Sequence, residues 1–406
     1  MGFDYIILGA GQQGTAAAYD LARWGEADRV VLADVDLERA KSSAKRVNRL
    51  LDRPITQAKQ LDVNDSDALI ERLRGMDCCL SAVPYHFNVK IAEAAATAET
   101  NFCDLGGNTE IVQRELALTK QARRAGVALV PDCGLAPGMA NTIAVYGMER
   151  IAHLGGRAQD VHIYCGGLPQ KPRPPLGYKL VFSIEGLTNE YSGKAYILRN
   201  GKVAAVDTLT EPEELTFASL GQLEAVITSG GTSTCPWTFE GRLRCYEYKT
   251  LRYPGHFEKI RTLADLGLLD LDPVDVNGQR VVPRALFHRA AAPRLNFPND
   301  RDLVVLRVRC AGERDGEAIT VQYDLLDYHD ESMGFTAMER LTGFPAAIVA
   351  SMLAHGRVEP GAVPLEQAIP AEPFMQELLR RSICPIESVT RILDANEPTL
   401  AGEADE

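Results

Sequence analysis

The sequence predicts an α/β protein in which a doubly wound parallel sheet is followed by a second, mixed α/β domain. Apolar strand segments alternate with helical segments through about the first third of the 406 residues. A G-x-G-x-x-G turn follows the first strand, and β-rich segments divided by Pro- and Gly-rich turns dominate from about residue 160 to residue 328. Alternation favours right-handed crossovers and a parallel sheet, whereas consecutive β-rich segments favour antiparallel pairs.

The first domain is predicted to span residues 1–135. Its first strand is continuously apolar, which is typical of a strand covered by helices on both faces. Six strands are predicted in this domain. They are DYIILG, RVVLAD, a segment near ITQAKQLDV, DCCLSAV, NFCDLG and VALVPD. The helices between them run from about Gln12 to Trp24, through DLERAKSSAKRVNRLL, from an N-cap at Asp65, from about Phe87 to Thr97, and through EIVQRELALTKQARRAG as one helix.

Residues 136–330 are predicted to form the second domain, because VHIYCGG, RDLVVLRVRCAG and EAITVQYDLLDY are long β-rich segments. A helix follows within residues 331–356, in TAMERLTGFPAAIVASMLAHG, with a kink expected near Gly343–Pro345. Residues 357–406 form a C-terminal extension. Its end, NEPTLAGEADE, is acidic and poor in apolar residues, and we expect it to be frayed.

Composition narrows the classes of function. A net charge of −12 argues against a nucleic-acid partner, since phosphate backbones are bound by clustered Lys and Arg. Nine cysteines without C-x-x-C spacing indicate reduced thiols in the cytoplasm, and no metal site is expected. The N-terminus has no signal-peptide pattern, and no apolar run is long enough to span a membrane. Small molecules and proteins are the expected partners.

The stretch YIILGAGQQG carries the clearest functional motif. Gly9 permits a tight turn, Gly11 lets a pyrophosphate approach the backbone, and Gly14 lets helix and strand pack closely. Gln12 and Gln13 begin the helix, whose N-terminal N–H groups attract phosphates. Asp34 closes the next strand, where a carboxylate binds the ribose 2′-OH and repels a 2′-phosphate. The sequence therefore predicts a Rossmann domain that binds NAD rather than NADP, although Arg39 offers a charge that a 2′-phosphate would need.

The ends of later strands are predicted to line the same cofactor, because ligands of such sheets lie outside the carboxyl ends of the strands. Asp62 is expected at the adenine pocket. The nicotinamide half is assigned to Ala82, Val83 and Pro84 after the fourth strand, and to the loop Asp104–Gly107, including Gly106, after the fifth. Helix capping or loop solvation is the alternative role for Asp62 and Asp104.

Several long segments carry a further signal. They are PDCGLAPGMAN, GGLPQKPRPPLGYKLVFSIEGLTNEY, LEAVITSGGTST, YKTLRYPGH and TAMERLTGFPAAIV. In sequence and in order they resemble the saccharopine dehydrogenase-like superfamily, and within it the lysine 6-dehydrogenases most closely. The resemblance spans about residues 3 to 355. Saccharopine-cleaving relatives tend to differ where this chain has Ala136-Pro137-Gly138.

The resemblance implies a second domain for substrate binding and dimerisation, and a C-terminal helix that returns to the Rossmann domain. It also implies NAD-dependent oxidative deamination of the ε-amino group of L-lysine. The products would be 2-aminoadipate 6-semialdehyde, which cyclises to piperideine-6-carboxylate, ammonia and NADH. The alternatives are a saccharopine dehydrogenase or another opine-type C–N oxidoreductase, and a regulatory protein that senses NAD(H) without turnover. A homo-oligomer, a dimer or larger, is expected.

Amine dehydrogenation needs a neutral amine, and a free ε-ammonium has a pKa near ~10.4. YKTLRYPGH supplies Lys249, Arg252 and His256, of which Arg252 or Lys249 is expected to contact the substrate carboxylate. Lys249 and Thr250 point to opposite faces of a strand, so the two cations need not share a site. His256 is predicted to act in acid–base chemistry or hydrogen bonding, with a structural histidine as the alternative.

The loop TSGGTST adds hydroxyl groups on a flexible glycine backbone. Thr232 and Ser233 are predicted to bind the substrate, and Glu224 to accept its ammonium as part of the catalytic set with His256 and Lys249. A plain surface turn is the alternative for this loop. Tyr85 and His86, after the fourth strand, are expected to flank the nicotinamide, and Tyr85 is a further candidate for substrate binding. Packing at a helix start is the alternative for each.

Overall fold

A computed structural model describes residues 2–391, and its first sheet is a parallel Rossmann sheet, as predicted. The strand order is β6-β5-β4-β1-β2-β3, with a short strand from the C-terminal region beside β6. All pairs in this sheet are parallel. The elements are β1 (Phe3–Leu8), α1 (Gln12–Trp24), β2 (Ala27–Asp34), α2 (Leu37–Leu51), β3 (Thr56–Gln60), α3 (Ser66–Leu73), β4 (Cys78–Ser81), α4 (Asn88–Thr97), β5 (Asn101–Asp104), α5 (Thr109–Leu116), α6 (Thr119–Ala125) and β6 (Ala128–Val130).

The apolar character of β1 follows from its position at the centre of the sheet. Tyr5 and Ile7 lie in one buried core, whereas Ile6 and Leu8 lie in the core on the opposite face. Successive side chains of a strand point to opposite faces, so a strand covered on both sides must be apolar throughout. The order of the strands reverses between β1 and β4, and this is where ligands bind to such sheets.

The second domain is built on a nine-stranded sheet that is mainly antiparallel, with the one parallel pair between β12 and β7. Its main path is β10-β11-β12-β7-β15-β16, a C-terminal strand lies beside β16, and β8 and β9 branch from β12. The elements are α7 (Met139–His153), β7 (Arg157–Pro169), α8 (Ile184–Glu190), β8 (Lys194–Arg199), β9 (Lys202–Asp207), β10 (Thr210–Phe217), β11 (Gly221–Ile227), α9 (Cys235–Thr238), β12 (Cys245–Arg252), α10 (His256–Asp265), β13 (Val274–Val276), β14 (Gln279–Val281), α11 (Pro283–Leu295), β15 (Asp302–Arg314) and β16 (Glu317–Tyr328).

The helix α12 (Ala337–Ala354) returns to the Rossmann domain and packs on α1, as predicted. It begins at a capping box, in which Thr336 accepts from the Glu339 N–H at 3.0 Å and Glu339 accepts from the Thr336 N–H at 2.7 Å. Gly343 permits the contact, because a Cβ there would lie 2.8 Å from the Ala16 Cβ. The helix runs without a break from Ala337 to Ala354 and includes Pro345, the position of the predicted kink.

The C-terminal region adds a strand to each sheet, through β17 (Gly361–Ala362), α13 (Leu365–Ala368), α14 (Ala371–Arg380) and β18 (Ile386–Arg391). β17 pairs with β6 in the Rossmann sheet, and β18 pairs with β16 in the second sheet. Arg381, just after α14, donates to both carboxylate oxygens of Asp20 in α1, at 2.6 and 2.8 Å, and both side chains are buried. The predicted frayed tail lies outside the described residues.

Two further points qualify the sequence analysis. The segment predicted as one helix after β5 is divided into α5 and α6, with Ala117 and Leu118 between them. Within residues 2–391, none of the helices combines the length and the apolar character needed to cross a bilayer.

Candidate active site

A cavity of about 550 Å³ lies where the carboxyl ends of β4 and β5 face the second domain. The Rossmann side contributes the start of α1 and the loops after β4, β5 and β6, while the opposite side comes from β7, α8, β12, the loop after β11 and α12. Its lining includes Gln13, Ala82, Val83, Pro84, Tyr85, His86, Leu105, Gly106, Gly107, Glu185, Glu190, Ser229, Gly230, Tyr248, Thr250, Arg252 and Thr342. Parallel sheets bind ligands at this edge.

The glycine turn after β1 leaves space for a phosphate only above its middle glycine. Gly9 has a φ of +98°, and a Cβ there would lie 2.7 Å from the Ala82 carbonyl oxygen. A Cβ on Gly14 would lie 1.9 Å from the Gly9 carbonyl oxygen, so this residue must be glycine for α1 to pack on β1. A Cβ on Gly11 would meet nothing within 4 Å. Gly9 and Gly14 thus have the close backbone contacts expected of them, and open space lies above Gly11, where a pyrophosphate is predicted to approach.

The start of α1 has polar groups that a dinucleotide would satisfy. Gly11 provides no side-chain cap for the first N–H groups of the helix, and Gln13 has a buried Oε1 without a hydrogen-bond partner in the structure. Gln12 is exposed beside it. Free N–H groups, a partial positive charge and open space above Gly11 fit a pyrophosphate.

Asp34 connects the glycine turn to the loop after β2. Its Oδ2 accepts from the Ala10 N–H at 2.8 Å, and its Oδ1 accepts from the Asp36 N–H at 2.9 Å. Each carboxylate oxygen can accept a further bond, so a ribose hydroxyl remains a possible partner. Arg39 is exposed on the first turn of α2. The carboxylate lies at the position where the sequence predicted it.

Two acids expected at the cofactor have other roles in the structure. Asp62 is exposed and accepts from the N–H and the side-chain amide of Asn64, at 2.9 and 3.0 Å, so it stabilises its own turn. Asp104 is fully buried beneath the cavity, where it accepts from the Gly106 N–H at 2.6 Å. The alternative interpretation, loop stabilisation, describes both residues better. By contrast, Ala82, Val83, Pro84 and Gly106 line the cavity itself.

Asp104 belongs to a group of three buried acids under the loop after β5. Burial raises the pKa values of Asp104, Asp132 and Glu115, and the charge of Asp104 raises the latter two further. Asp132 accepts from the Gly107 N–H at 3.2 Å and from the Ser233 hydroxyl at 2.5 Å. These bonds connect a cavity-lining loop of the Rossmann domain to the second domain.

The second-domain wall carries an ion pair between Arg252 and Glu190. The Arg252 Nη2 lies 3.2 Å from the Glu190 Oε2, its Nε donates to the Tyr191 hydroxyl at 3.0 Å, and its Nη1 donates to the Leu251 carbonyl at 2.9 Å. The guanidinium also lies over the Tyr178 ring, 4.9 Å from its centroid. Burial raises the pKa of Glu190 to about 7, although Arg252 opposes this shift. A guanidinium has five N–H donors, so two remain for a ligand.

His256 lies behind Arg252 and does not line the cavity. Its Nε2 is 3.0 Å from the Tyr191 hydroxyl and its Nδ1 is 3.0 Å from the Leu176 carbonyl oxygen. Burial, together with the nearby Arg252, lowers the pKa of His256 to about 3. A neutral imidazole with its proton on Nδ1 satisfies both contacts, so His256 orients Tyr191 and hence Arg252. These contacts fit the structural alternative for His256 rather than acid–base chemistry in the cavity.

Lys249 and Glu224 are also directed away from the cavity. Lys249 pairs with Glu213 and donates to the Glu211 carbonyl at 3.0 Å, on the face of β12 opposite to Thr250. Glu224 accepts from the N–H groups of Gly255 and Phe257, at 3.1 and 2.8 Å, and so caps the start of α10. The alternation of side chains along β12 sends Lys249 outward, and the free N–H groups of α10 engage Glu224.

The loop after β11 is buried rather than a surface turn. The Thr232 hydroxyl donates to the Tyr196 carbonyl at 2.7 Å, and Ser233 donates to Asp132, so neither hydroxyl faces the cavity. Ser229 and Gly230, just before them, do line it. Tyr85 lies in a short 3₁₀ turn after β4 and lines the opposite side.

Sequence reasoning missed Glu190, whereas it placed His86, together with Tyr85, either beside the nicotinamide or in packing at a helix start. Glu190 is the last residue of α8, and only the fold brings it to Arg252, 62 residues later. The available signal was the polar run Asn189-Glu190-Tyr191-Ser192, which begins at the end of α8 and continues beyond it. His86 follows Tyr85 directly at the end of β4, where strand-end loops were already expected to contribute.

Two family models match consecutive parts of this chain. The model described as saccharopine dehydrogenase NADP binding domain matches residues 5–130, and the saccharopine dehydrogenase C-terminal domain matches residues 134–383. Among curated proteins, the NADP(+)-dependent, L-glutamate-forming saccharopine dehydrogenase of Saccharomyces cerevisiae is 24% identical over 93% of this chain and 97% of its own length. The enzyme of the same name from Schizosaccharomyces pombe is 29% identical, but the match covers 53% of this chain and 49% of that enzyme.

Solved structures agree on the fold. The apo L-Glu-forming saccharopine dehydrogenase from Saccharomyces cerevisiae superimposes with a TM-score of 0.76 at 21% identity, over 96% of this chain and 100% of that one. A homospermidine synthase from Legionella pneumophila in complex with NAD gives 0.63 at 11% identity, over 100% and 95%. The family models, the nucleotide cradle and the shared two-domain fold lead to one conclusion. The chain belongs to the saccharopine dehydrogenase family of oxidoreductases.

Proposed function

We propose that this protein catalyses NAD-dependent oxidative deamination of the ε-amino group of L-lysine. The observation that carries the proposal is the Glu190–Arg252 pair in the same cavity as the strand ends that flank the nucleotide cradle. Arg252 has N–H groups for a substrate carboxylate, and Glu190 has a carboxylate for an α-ammonium. Together they recognise the head group of an amino acid and take over the roles expected of Lys249 and Glu224.

The charges of the cavity favour lysine over saccharopine. Among the described residues that line it, Arg252 is the one Arg or Lys side chain, and Glu185 and Glu190 are the acids. Saccharopine carries three carboxylates, two of which would lack a cationic partner here. Lysine carries one carboxylate and two ammonium groups. A desolvated charge is costly without an opposite partner, so this cavity suits the cationic substrate better.

The residues at the end of β4 would act on the reacting end of lysine. When bound, NAD would accept the hydride from the carbon that carries the ε-amine. His86 is the one imidazole among the described cavity residues and lies on the turn after β4, so we assign it the ε-ammonium proton. Tyr85 and the walls Ala82–Pro84 and Gly106 exclude water from one side of the substrate.

Asp34 supports NAD over NADP, even though the matching N-terminal family model is described as NADP-binding. Its carboxylate is buried between two backbone N–H donors, where it would repel a 2′-phosphate. Asp34→Ser removes this charge, and we expect the preference for NAD over NADP to fall about 10-fold or more in kcat/KM. Asp62→Ser, at an acid exposed in its own turn, is the control and should leave the preference unchanged. Equal use of both cofactors by the unmodified protein would contradict the assignment.

Substrate identity is tested by following NADH formation with lysine, ornithine and saccharopine in parallel. Lysine-dependent NADH formation with release of ammonia supports the proposal. Saccharopine-dependent formation with release of glutamate supports the second candidate, a saccharopine dehydrogenase, which the names of the two yeast relatives favour. Tight NAD binding without turnover on any amine would indicate a sensor of NAD(H).

We also infer a homo-oligomer and a cytoplasmic location. β18 is an edge strand of the second sheet, and its Ile386 is 72% exposed. Exposed edges with apolar side chains are suited to pairing with a second copy. Light scattering of the purified protein tests this, and a monomer at micromolar concentration would contradict it.

The cytoplasmic location is supported by the cysteines. All nine cysteines are free, as reduced thiols in the cytoplasm would be.

A further inference from the structure

A second group of reactive side chains lies on the second sheet, on the face turned away from the cavity. His162 in β7 and Glu247 in β12 are directly opposite each other in the parallel register, and Cys245 is two residues before Glu247. Residues two apart in a strand point to the same face, so all three side chains meet there. Tyr248 and Thr250, which line the cavity, point the other way.

The three donor atoms are close together and only partly covered. The His162 Nδ1 lies 2.9 Å from the Glu247 Oε1, and the imidazole nitrogen, the Cys245 thiol and the carboxylate oxygen all lie within 4.8 Å of one another. The side chain of His162 is 25% exposed and that of Glu247 is 9% exposed. A cation from solvent can therefore reach the group without opening the fold.

The neighbouring cations already have acidic partners. Arg199 makes two hydrogen bonds to Glu211, at 2.9 and 2.8 Å, and lies 3.7 Å from the second oxygen of Glu247. Arg244 is paired in the same way with Asp160. Arg199 thus supports one oxygen of Glu247 from behind and leaves the oxygen beside His162 and Cys245 to bind another ligand.

We propose that His162, Cys245 and Glu247 form a binding site for a divalent late transition-metal ion, with Zn²⁺ as the best match. Nitrogen, sulfur and oxygen donors are the ligand set of Zn²⁺, and three protein ligands leave the fourth tetrahedral position to water. Donor atoms around a tetrahedral zinc ion lie on the order of 3.5 Å apart. Side-chain movements of about 1 Å therefore bring the three donor atoms to this spacing. The metal would clamp β7 to β12.

The thiol must lose its proton when the metal binds. Metals bind cysteine as the thiolate, whereas a metal-free thiol ordinarily carries its proton at neutral pH. Coordination therefore replaces an S–H proton by a metal–thiolate bond and releases that proton to the buffer. No electron is transferred, and no further reactant is needed.

Cysteine alkylation tests the site without any substitution. Seven of the nine cysteines are buried, whereas Cys245 is half-buried and Cys384 is exposed. The full-length protein is stripped with a chelator and alkylated with and without Zn²⁺, and each modified cysteine is quantified by mass spectrometry. At a Zn²⁺ concentration about ninefold above the Kd, we expect Cys245 to react about 10-fold more slowly. The rate for Cys384 should not change, and an unchanged rate for Cys245 would overturn the proposal.

Cobalt gives an independent readout. Co²⁺ added to the stripped protein should produce a thiolate-to-metal charge-transfer band in the near ultraviolet. Cys245→Ser and His162→Ala should abolish or strongly weaken this band, whereas the control Cys384→Ser should keep it. A band that survives Cys245→Ser, or no band in Cys384→Ser, would contradict the site. These outcomes are independent of the proposed lysine chemistry.

Discussion

The two walls of the cavity differ in how the chain builds them. The Rossmann wall uses backbone N–H groups and glycines from one contiguous turn, Gly9–Gly14, with strand-end loops beside it. The opposite wall uses side chains that come from the end of α8 and from β12, brought together only by the sheet and its connections. A cofactor with constant phosphates can be held by local backbone, whereas a substrate head group needs charged side chains at set positions.

The largest predicted effect, on kcat, tests this division of roles between the two walls, because it concerns a side chain on the Rossmann wall. His86→Gln removes the proposed proton acceptor, and we expect kcat for lysine to fall about 100-fold or more with little change in NAD affinity. The exposed His153, outside the cavity, provides the control variant His153→Gln. If His86→Gln retains normal kcat, the Rossmann wall acts through backbone alone and the base lies elsewhere.

The second effect concerns the side-chain wall. Glu190→Gln leaves the size of the residue unchanged but removes its charge, so KM for lysine should rise about 10-fold to 100-fold, the range for a lost charged hydrogen bond. In the unmodified protein, Glu190 takes up a proton as the pH falls through about 7, and KM should rise in the same range. The variant should lack this rise. Glu185→Gln is the matched control, and an equal effect in both variants would contradict the Glu190 assignment.

The third prediction distinguishes a glycine needed for cofactor binding from a glycine needed for packing of the fold. Gly11→Ala adds a methyl group where the structure has none within 4 Å, so the melting temperature should not change while the Kd for NAD rises about 10-fold. Gly14→Ala places a methyl group 1.9 Å from the Gly9 carbonyl oxygen and should lower the melting temperature as well. Calorimetry and fluorescence titration measure the two quantities. Equal destabilisation by both variants would show that Gly11 is a packing residue.

The smallest predicted effect, on kcat/KM, tests which side chains of β12 face the cavity. Lys249→Met should leave kcat/KM for lysine within about twofold, because Lys249 pairs with Glu213 on the face away from the cavity. Arg252→Met, three residues further along the chain, removes the carboxylate partner and should raise KM strongly. A large rise in KM for Lys249→Met would mean that the substrate reaches the outer face of the sheet.

The sequence predicted the parts of this molecule that depend on neighbouring residues. The glycine turn, Asp34 and the parallel sheet follow from local spacing and from apolar strands. His256 and Glu224 were misassigned because their partners, Tyr191 and the start of α10, are long-range contacts that no spacing reveals. Strand alternation left the face of Lys249 open, and its contacts with Glu213 and the Glu211 carbonyl place it on the face away from the cavity.

Neither Glu190 nor the proposed metal ligands were predicted, because their partners are also distant in the sequence. The His162–Glu247 contact joins residues 85 positions apart, so ligand spacing along the chain carries no signal. The three buried acids under the Gly106–Gly107 loop are equally invisible, since each lies at the end of a strand or inside a helix where an acid has ordinary local functions.

The C-terminal region has a consequence for how this protein is made. Because β17 completes one sheet and β18 completes the other, and Arg381 neutralises the buried Asp20, neither domain can reach its final form while the chain is still emerging from the ribosome. A chain without this region would leave β6 and β16 without these partner strands. Removing residues 361–391 should therefore yield insoluble protein rather than a shorter enzyme.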